Sequence, residues 1–561
     1  MPSRLFVLLL IGLCTACAQL GQPFTAPTAD FDVIELTIDQ AHDALRSGRF
    51  SCEQLTRRYL RRIDAYDPPA GALQQTAAVQ PRTLANRLNA IIAVNQNAVA
   101  RARQLDRRYA ETGRMRSLHC MPVILKDNFD TADMPTEAGS VALQGSLPPD
   151  DAFMVRRLRA EGAIILAKSN MGEWAFSPHQ TISSTHGETR NAYDLEHVPA
   201  GSSGGTASAI AANLGIIGMG TDTGNSIRGP ASHLALVGIR STLGATSRDG
   251  IVPLLSNRDV GGPMMRTVTD TAIVYSVLAG DDPADPLTQT PIGRVEPDYR
   301  RYLMRDGLRG ARLGVLRALT QTSTADPEVV ARFDDAIDDL RQAGAVIVDP
   351  FAIPDFERLT KATGFCSRFR HDLARYLRTL GPSAPIRALD EVAASKRHLP
   401  ESAGAMQWAM GVDVDPRSQQ PPCVGVQNDP RRKALLDAVL AAMDRQHIDA
   451  IIYPSWSNPP RRIGDNDSPH GNNSPVIAPH TGQPAITVPM GFTRAGLPLG
   501  LQLLARPFDE HKLFKYAYAY EQATRHRRPP PAFGRLPRAS LLAKTSDPGN
   551  PMRSAAPSAK W

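Results

Sequence analysis

Beyond residue 18 the sequence has only four cysteines, and none lies in a CxxC pair or a Cys/His cluster of the kind that binds zinc. This scarcity argues against a structural metal site. Four cysteines allow three complete pairings. We expect buried free thiols or one structural bridge. Cys366 and Cys423 flank an irregular region, so they are favoured as a pair over one that uses Cys52 or Cys120.

Past the N-terminus, no stretch is long and apolar enough to span a bilayer. The N-terminus itself has one positive charge, Arg4, and a short apolar run from Leu5 to Leu13. Small residues follow, and Ala16-Cys17-Ala18 fits an A-x-A cleavage site. We therefore predict a signal peptide over residues 1–18 and an exported, periplasmic or secreted protein. Lipid modification of Cys17, which would anchor the chain at the outer membrane, is the alternative.

The composition also lacks a strong excess of one charge, since the formal net charge is +7 over 561 residues. The hydrophobic content of 42% and the charged content of 21% are typical of a globular soluble protein. They exclude a fibre or a wholly disordered chain. Arginine clusters such as RRYLRR, residues 57–62, fall on predicted helix faces, where we interpret them as solvated surface rather than as a nucleic-acid site.

The sequence has no internal repeat, and its organisation is a long alternation of helical and strand-like segments. This alternation predicts an α/β protein with a buried, largely parallel sheet and helices on both faces. We assign residues 19–32 to a polar spacer, 33–532 to a single domain and 533–561 to a disordered tail. Two irregular segments, 395–428 and 461–475, are predicted as surface loops or as loops at the mouth of a pocket.

The segment GTDTGNSIRGP, residues 220–230, is polar and rich in glycine. Gly224 permits backbone conformations that other residues avoid, so the N–H groups from Thr223 to Ser226 could converge on one point. Such a nest stabilises negative charge, as a tetrahedral oxyanion requires. Ser226 would then lie beside the oxyanion as a candidate nucleophile.

A second small-residue cluster, PAGSSGG at residues 199–205, directly precedes a predicted helix. A flexible linker is a common explanation for such a composition. Its place among regular elements favours a tight turn that lines a site and presents Ser202 and Ser203.

A serine nucleophile needs a base, and the sequence lacks the G-x-S-x-G elbow of the α/β-hydrolases around Ser226. The candidate histidines are His179, His186, His197, His233 and His480. The other candidate is Lys126, at the end of the apolar run MPVILKD, where burial would lower its pKa. An ion pair between Lys126 and Asp127 is the structural alternative.

The segments PVILKD, GSSGG and GTDTGNSIRGP, in this order, resemble the amidase signature family. The resemblance extends to AKSNMGEW, IRSTLGATSRDGIVPL and GLPLGLQLLARPFDEHKLFKYAYAYEQAT. It covers about residues 36–530 and is weaker between 282 and 432. It implies the amidase signature fold, a large twisted mixed β-sheet covered by helices on both faces, and it implies no metal and no organic cofactor.

The resemblance also implies a Ser–cisSer–Lys triad. Lys126 matches the lysine, Ser202 matches the bridging serine whose peptide bond is cis in the family, and Ser226 matches the nucleophile. The spacing from Ser202 to Ser226 is 24 residues, as is usual in the family. The expected oxyanion donors are the backbone N–H groups of Thr223, Gly224, Asn225 and Ser226. Asn225 stands where members often have glycine, and we expect it to tolerate left-handed backbone there.

Three further residues are predicted to support this site. Ser203 lies beside the bridging serine. Asp222 and Arg228 are expected to pair with each other and to brace the nucleophile loop. The acyl pocket is predicted to draw on residues 127–145, 174–181 and 395–428, a mixture that selects no single class of amide.

The predicted function is hydrolysis of the C–N bond of a carboxamide or acylamide through an acyl-enzyme on Ser226. A small-molecule or peptide amide is the expected partner, with no nucleic acid. One alternative is a relative of the amidotransferase component that acts on glutamine and aminoacyl-tRNA, against which the predicted signal peptide argues. Another is an inactive surface-binding relative, against which the presence of all three triad residues argues.

Overall fold

The computed structural model describes residues 31–69, 87–289, 293–411, 423 and 428–536. The predicted signal peptide, the Cys17 alternative, most of the spacer and residues 537–561 lie outside the described residues. The predicted domain limit at 532 is followed by Phe533, which is buried, and its carbonyl oxygen accepts a hydrogen bond from Arg62 Nη2. No helix in the described ranges has the length and hydrophobicity needed to traverse a lipid bilayer.

Thirteen strands are present in the described ranges, eleven of them in one sheet. In chain order they are β1 Ile91–Val94, β2 Pro122–Lys126, β3 Ile164–Ser169, β4 Ile182–Ser183, β5 Gly187–Glu188, β6 Ile217–Asp222, β7 Val237–Arg240, β8 Val260–Met265, β9 Arg312–Val315, β10 Val346–Val348, β11 Ala450–Pro454, β12 Ala485–Phe492 and β13 Pro498–Leu504.

Fifteen α-helices accompany these strands in the same ranges. They are α1 Ile38–Arg46, α2 Cys52–Tyr66, α3 Ala98–Thr112, α4 Phe153–Ala160, α5 Gly204–Ala211, α6 Arg228–His233, α7 Val268–Leu278, α8 Pro327–Gln342, α9 Phe356–Ala362, α10 Phe369–Thr379, α11 Leu389–Ser395, α12 Ala403–Met410, α13 Pro430–Arg445, α14 Ala478–Thr481 and α15 Glu510–Thr524. Capping residues in the local sequence determine where several of these helices begin. Thr37 with Gln40, and Ser51 with Gln54, form capping boxes at α1 and α2.

The large sheet has the order β1-β3-β2-β6-β8-β7-β12-β13-β11-β9-β10. β2 pairs in parallel with β3 and β6, and β9 pairs in parallel with β10 and β11. The six remaining pairings of this sheet are antiparallel. The sheet is therefore mixed, as the family resemblance implies, and the expectation of a largely parallel sheet is wrong. No α-helix separates β7 from β8 or β12 from β13, and such direct connections make antiparallel neighbours.

Helix α5 lies against the sheet at very short range because its residues are small and all buried. A Cβ added at Gly205 would lie 2.1 Å from the carbonyl oxygen of Asn170, so only glycine fits there. This close approach fixes the start of α5, which directly follows Ser202 and Ser203, against Asn170, the residue that follows β3.

Two disulfides join the four cysteines, Cys52 to Cys120 and Cys366 to Cys423. The favoured pair Cys366–Cys423 is present. The expectation of at most one bridge is wrong, because the start of α2 brings Cys52 within 5.2 Å (Cα–Cα) of Cys120, 68 residues away. His119 lies beside this bridge, and in the described ranges Cys52, His119 and Cys120 form the one Cys/His/acid cluster compact enough for a metal. Both of its sulfurs are in the disulfide.

Candidate active site

Strand β2 ends at Lys126, which is fully buried. All five residues of β2 are buried, and the Lys126 side chain has no exposed surface. Its Nζ lies 2.8 Å from Ser202 Oγ and 2.7 Å from Thr221 Oγ1. Burial lowers the pKa of Lys126 to about 7, and the carboxylates of Asp259 and Asp222 offset this only in part. A large share of Lys126 is therefore uncharged near neutral pH.

The structural alternative for Lys126, an ion pair with Asp127, is wrong. Successive residues of a strand point to opposite sides, and the Asp127 carboxyl lies 3.7 Å from Lys168 Nζ instead. Burial raises the pKa of Asp127 to about 7, although Lys168 opposes the shift. The amine of Lys126 thus contacts two hydroxyls and forms no ion pair within the described part of the chain.

Ser202 sits in a glycine-rich turn that is closely packed against its neighbours. The Gly201–Ser202 peptide bond is cis. Gly201 N–H donates to the Pro178 carbonyl oxygen at 2.9 Å, and the Ser202 carbonyl oxygen accepts from Gly172 N–H at 3.0 Å. A Cβ added at Gly201 would lie 2.2 Å from the carbonyl oxygen of Gln180. The turn is therefore clamped on both sides, which fixes where the Ser202 hydroxyl points.

Ser203 supports the same turn. Its Oγ donates to the carbonyl oxygen of Thr221 at 3.2 Å, and its side chain is fully buried. This bond connects the serine turn, residues 201–203, to β6, the strand that leads into residues 223–226. Ser203 thus holds two parts of the site together without contacting Lys126.

Residues 223–226, which we call the nucleophile loop after the predicted nucleophile Ser226, follow β6 and precede α6. The four backbone N–H groups of this loop form no hydrogen bond with any residue that the structure describes. Free, neighbouring N–H groups of this kind can donate to a developing oxyanion. Ser226, at the end of the loop, is 6% exposed, and its hydroxyl is not hydrogen-bonded to that of Ser202. The structure thus joins Lys126 to Ser202 directly, whereas Ser226 is not hydrogen-bonded to Ser202.

The loop does not use left-handed backbone, contrary to the expectation for Gly224 and Asn225. Neither residue has a positive φ. A Cβ at Gly224 would meet its nearest atoms, on Phe365 and Pro475, at 3.7 Å, which is ordinary contact. The backbone of the loop therefore does not require glycine at this position. The role of Asn225 lies in its side chain instead.

The Asn225 amide connects the nucleophile loop to the serine turn. Its Nδ2 donates to the carbonyl oxygens of Pro178 and Gly201, at 3.3 Å each. The second of these belongs to the cis peptide itself. A Cβ at Gly229 would lie 2.4 Å from Asn225 Nδ2, so Gly229 leaves room for this amide.

Asp222 and Arg228 form the buried ion pair that the sequence suggests. Arg228 Nε donates to Asp222 Oδ2 at 3.0 Å, and Arg228 Nη2 donates to Oδ1 at 3.2 Å. Arg228 Nη2 also donates to the Gly224 carbonyl oxygen at 2.7 Å. Burial acts to raise the pKa of Asp222, but Arg228 and Arg240 outweigh it and lower the pKa. The pair thus stays charged, and it holds the nucleophile loop through the bond from Arg228 to Gly224.

Sequence reasoning missed three polar residues of this site. Arg240 Nη1 is a second guanidinium on Asp222, at 3.0 Å from Oδ1. Thr221 contacts Lys126 and also accepts from Asn128 Nδ2 at 3.1 Å. Asp259 accepts from Thr223 Oγ1 at 2.5 Å. Thr221 precedes Asp222 on β6 and points to the other side, so strand periodicity could have indicated it. Arg240 and Asp259 come from other segments and carry no local signal.

The five candidate histidines lie elsewhere or are otherwise engaged, and no described histidine is hydrogen-bonded to Ser226. His480 Nδ1 lies 3.2 Å from Arg258 Nη2, and His197 Nδ1 lies 3.1 Å from Asp194. His233 stacks on Trp456. His179 packs against His470, and in the described ranges no hydrogen bond joins the ring of His186 to Ser202 or Ser226. The geometry therefore favours Lys126 over a histidine base.

A cavity of about 550 Å³ opens beside Thr221, Thr223 and Asp259. Asn128 and Ala175 come from two of the predicted pocket segments. No described residue of the third predicted segment, 395–428, lines this cavity; helix α10 does so instead. Its Tyr376 hydroxyl donates to Asp130 Oδ1 at 2.8 Å and closes one wall.

Comparison with known proteins gives the family. A family model described as Amidase matches residues 73–514. A probable amidase of Arabidopsis thaliana is 32% identical over 517 residues, which cover 90% of this chain and 93% of the relative. A glutamyl-tRNA(Gln) amidotransferase subunit of Geobacter metallireducens is 33% identical over 515 residues, which cover 88% and 98%.

Among solved structures, the native peptide amidase of Stenotrophomonas maltophilia is similar, with a TM-score of 0.76 and 37% identity over 88% of this chain and 98% of that one. The similarity therefore spans the whole mixed sheet and the elements that carry Lys126, Ser202 and Ser226. On this sequence and structural similarity, the chain belongs to the amidase signature family and is an amidase.

Proposed function

We propose that this amidase cleaves the C–N bond of its substrate through an acyl-enzyme on Ser226, with Lys126 and Ser202 as the proton relay. The observation that carries the proposal is the 2.8 Å contact between the buried Lys126 amine and Ser202 Oγ. An uncharged amine at this distance can accept the serine proton. Closure of the Ser226–Ser202 hydrogen bond would occur in the substrate complex, as is common for catalytic hydrogen bonds.

In the proposed reaction, Lys126 takes the Ser202 proton while Ser202 takes the Ser226 proton. Ser226 Oγ attacks the amide carbonyl, and the oxyanion accepts from the N–H groups of residues 223–226. Each such donor is worth about 10²–10³ in rate. The protons return through Ser202 to the leaving amine or ammonia as the C–N bond breaks. Water then hydrolyses the ester on Ser226 by the same relay, which restores the free hydroxyl.

For the substrate, we favour a peptide amide. The support is the similarity to a peptide amidase over nearly the full length of that protein. The amidotransferase alternative is supported by the similarity to one component of that enzyme. Two disulfides weigh against it, because they are typical of proteins folded outside a reducing cytosol. The same bridges support the proposal that the chain is exported.

The test is to incubate purified protein with a fluorophosphonate probe and, separately, with an N-acetyl amino-acid amide. We expect a covalent adduct on Ser226, located by peptide mass spectrometry, and release of ammonia. Ser226→Ala should lose both signals while retaining the wild-type circular dichroism spectrum. An adduct on another serine, or ammonia release by Ser226→Ala near the wild-type rate, would refute the assignment of Ser226.

Export has its own test. Expression of the full chain in a Gram-negative host, followed by fractionation and mass spectrometry of the mature N-terminus, should place the protein outside the cytoplasm with cleavage near residue 18. A chain that begins at a diacylated Cys17 would instead show the lipid-anchored form. An uncleaved cytoplasmic chain would contradict both.

A further inference from the structure

Phe365 is a large apolar side chain beside the nucleophile loop, in the segment between α9 and α10. Its side chain is 37% exposed. A Cβ placed on Gly224 would lie 3.7 Å from Phe365 Cζ and 3.7 Å from Pro475 Cβ. Gly224 therefore lies next to both an aromatic ring and a proline. A carbonyl whose oxygen binds the N–H groups of residues 223–226 would therefore place its neighbouring atoms within reach of Phe365.

The ring is held in place from several sides, unlike an ordinary exposed side chain. The Arg258 guanidinium lies 4.7 Å from the ring centroid, and its Nη2 donates to the Gly364 carbonyl oxygen at 3.2 Å. The His480 ring lies 4.7 Å from the Phe365 ring, centroid to centroid. The next residue, Cys366, is tied by its disulfide to Cys423. Phe365 thus presents a preorganised apolar surface, and such surfaces bind with little loss of conformational entropy.

The positive charge around Phe365 restricts which substrate side chains can bind next to it. Arg258 is buried and contacts no carboxylate in the described ranges. A second buried guanidinium, that of Arg432, donates to the carbonyl oxygen of His480. A cationic substrate group would be repelled here, whereas an aromatic or branched aliphatic group gains contact with the ring.

We infer that Phe365 is a specificity-determining residue that contacts the side chain next to the scissile carbonyl, and that it favours peptide amides with an aromatic or bulky apolar terminal residue. The inference rests on the proposed function, since it assigns a substrate class to the same site. It concerns selectivity among amides. The relay of Lys126 and Ser202 is unaffected by it.

The test compares kcat/KM for N-acetyl amides of Phe, Leu, Ala and Lys. We expect the wild-type enzyme to prefer the Phe and Leu amides. Phe365→Ala should lower kcat/KM for the Phe amide about tenfold, mainly through KM, and change the Ala amide less than twofold. Phe365→Leu should preserve the preference for the Leu amide over the Ala amide. Trp408→Ala removes an aromatic side chain of the same 37% exposure on α12 and is the matched control. It should leave kcat/KM unchanged for both the Phe amide and the Ala amide.

A uniform loss over all four amides, or the same shift in Trp408→Ala, would overturn the inference. Binding provides a readout that is independent of turnover. In the Ser226→Ala background, calorimetry should show tighter binding of the Phe amide than of the Ala amide, and Phe365→Ala should abolish the difference. If the wild-type enzyme hydrolyses no amide, the proposed function fails. In that case, tighter binding of the Phe amide would still show that Phe365 selects the bound side chain. Equal binding of the Phe and Ala amides overturns the inference.

Discussion

The amine of Lys126 and the hydroxyl of Ser202 lie 2.8 Å apart, in a place where neither side chain has exposed surface. The lysine comes from the end of a fully buried strand, and the serine comes from a glycine-rich turn 76 residues later. A charged lysine is rarely buried without an acid beside it. The absence of an ion pair to Lys126 within the described ranges therefore supports the proposal that the amine serves as a base rather than as a structural charge.

The first prediction contrasts two adjacent serines. Ser202→Ala removes the hydroxyl that contacts Lys126, so we expect kcat for an amide substrate to fall by at least about 10³-fold. Ser203→Ala removes one hydrogen bond to the Thr221 carbonyl oxygen, and we expect a fall below about tenfold. Steady-state kinetics on both variants make the comparison. Equal losses would show that Ser202 acts only through the shape of the turn.

The second prediction is a pH profile. Because burial lowers the pKa of Lys126 to about 7, the base is protonated and inactive below that pH. We expect kcat/KM to rise about tenfold per pH unit up to about pH 7 and then to level off. Lys126→Ala should remove this limb and lose more rate at neutral than at high pH, where hydroxide can substitute. If kcat/KM of Lys126→Ala still rises with pH up to the same pH as in the wild type, the rise belongs to another group.

The third prediction concerns the Asn225 amide. Asn225→Gly removes both of its 3.3 Å hydrogen bonds to the serine turn. At about 0.5–1.5 kcal/mol per bond, the two bonds together correspond to a fall in kcat of about 5- to 150-fold. Asn225→Asp should be worse, because a carboxylate would face two carbonyl oxygens. The rate of fluorophosphonate labelling should fall in parallel. A glycine variant as active as the wild type would show that this brace is dispensable.

The fourth prediction is about stability. Asp222→Asn leaves Arg228 and Arg240 without their buried counter-charge. We expect the free energy of unfolding to fall by about 3–5 kcal/mol. Asp43→Asn breaks the exposed pair with Arg46 and should cost less than about 1 kcal/mol. Urea unfolding of both variants measures the loss of unfolding free energy. Similar losses would mean that the buried pair stabilises the protein no more than the exposed pair.

Much of this architecture could be predicted because its signals are local. The apolar run IIAV forms a strand over the predicted residues 91–94, and the segment before Lys126 forms a buried strand that ends at that lysine. Strand directions could not be predicted, because they depend on which connections are hairpins. The targets of the Asn225 amide and the partner of Cys52 could not be predicted either. They depend on segments that only the tertiary fold brings together.

The crowding around Ser202 has a consequence for evolution and engineering. Added methyl groups at Gly201, Gly204 and Gly205 would come within 2.1–2.3 Å of neighbouring atoms, whereas one at Gly224 would make only ordinary contacts at 3.7 Å. Libraries that vary the serine turn should therefore consist mostly of misfolded proteins. Diversity placed at Phe365 and Pro475, beside the nucleophile loop, leaves Lys126, Ser202 and Ser226 in place, so we expect altered substrate preference from these two positions.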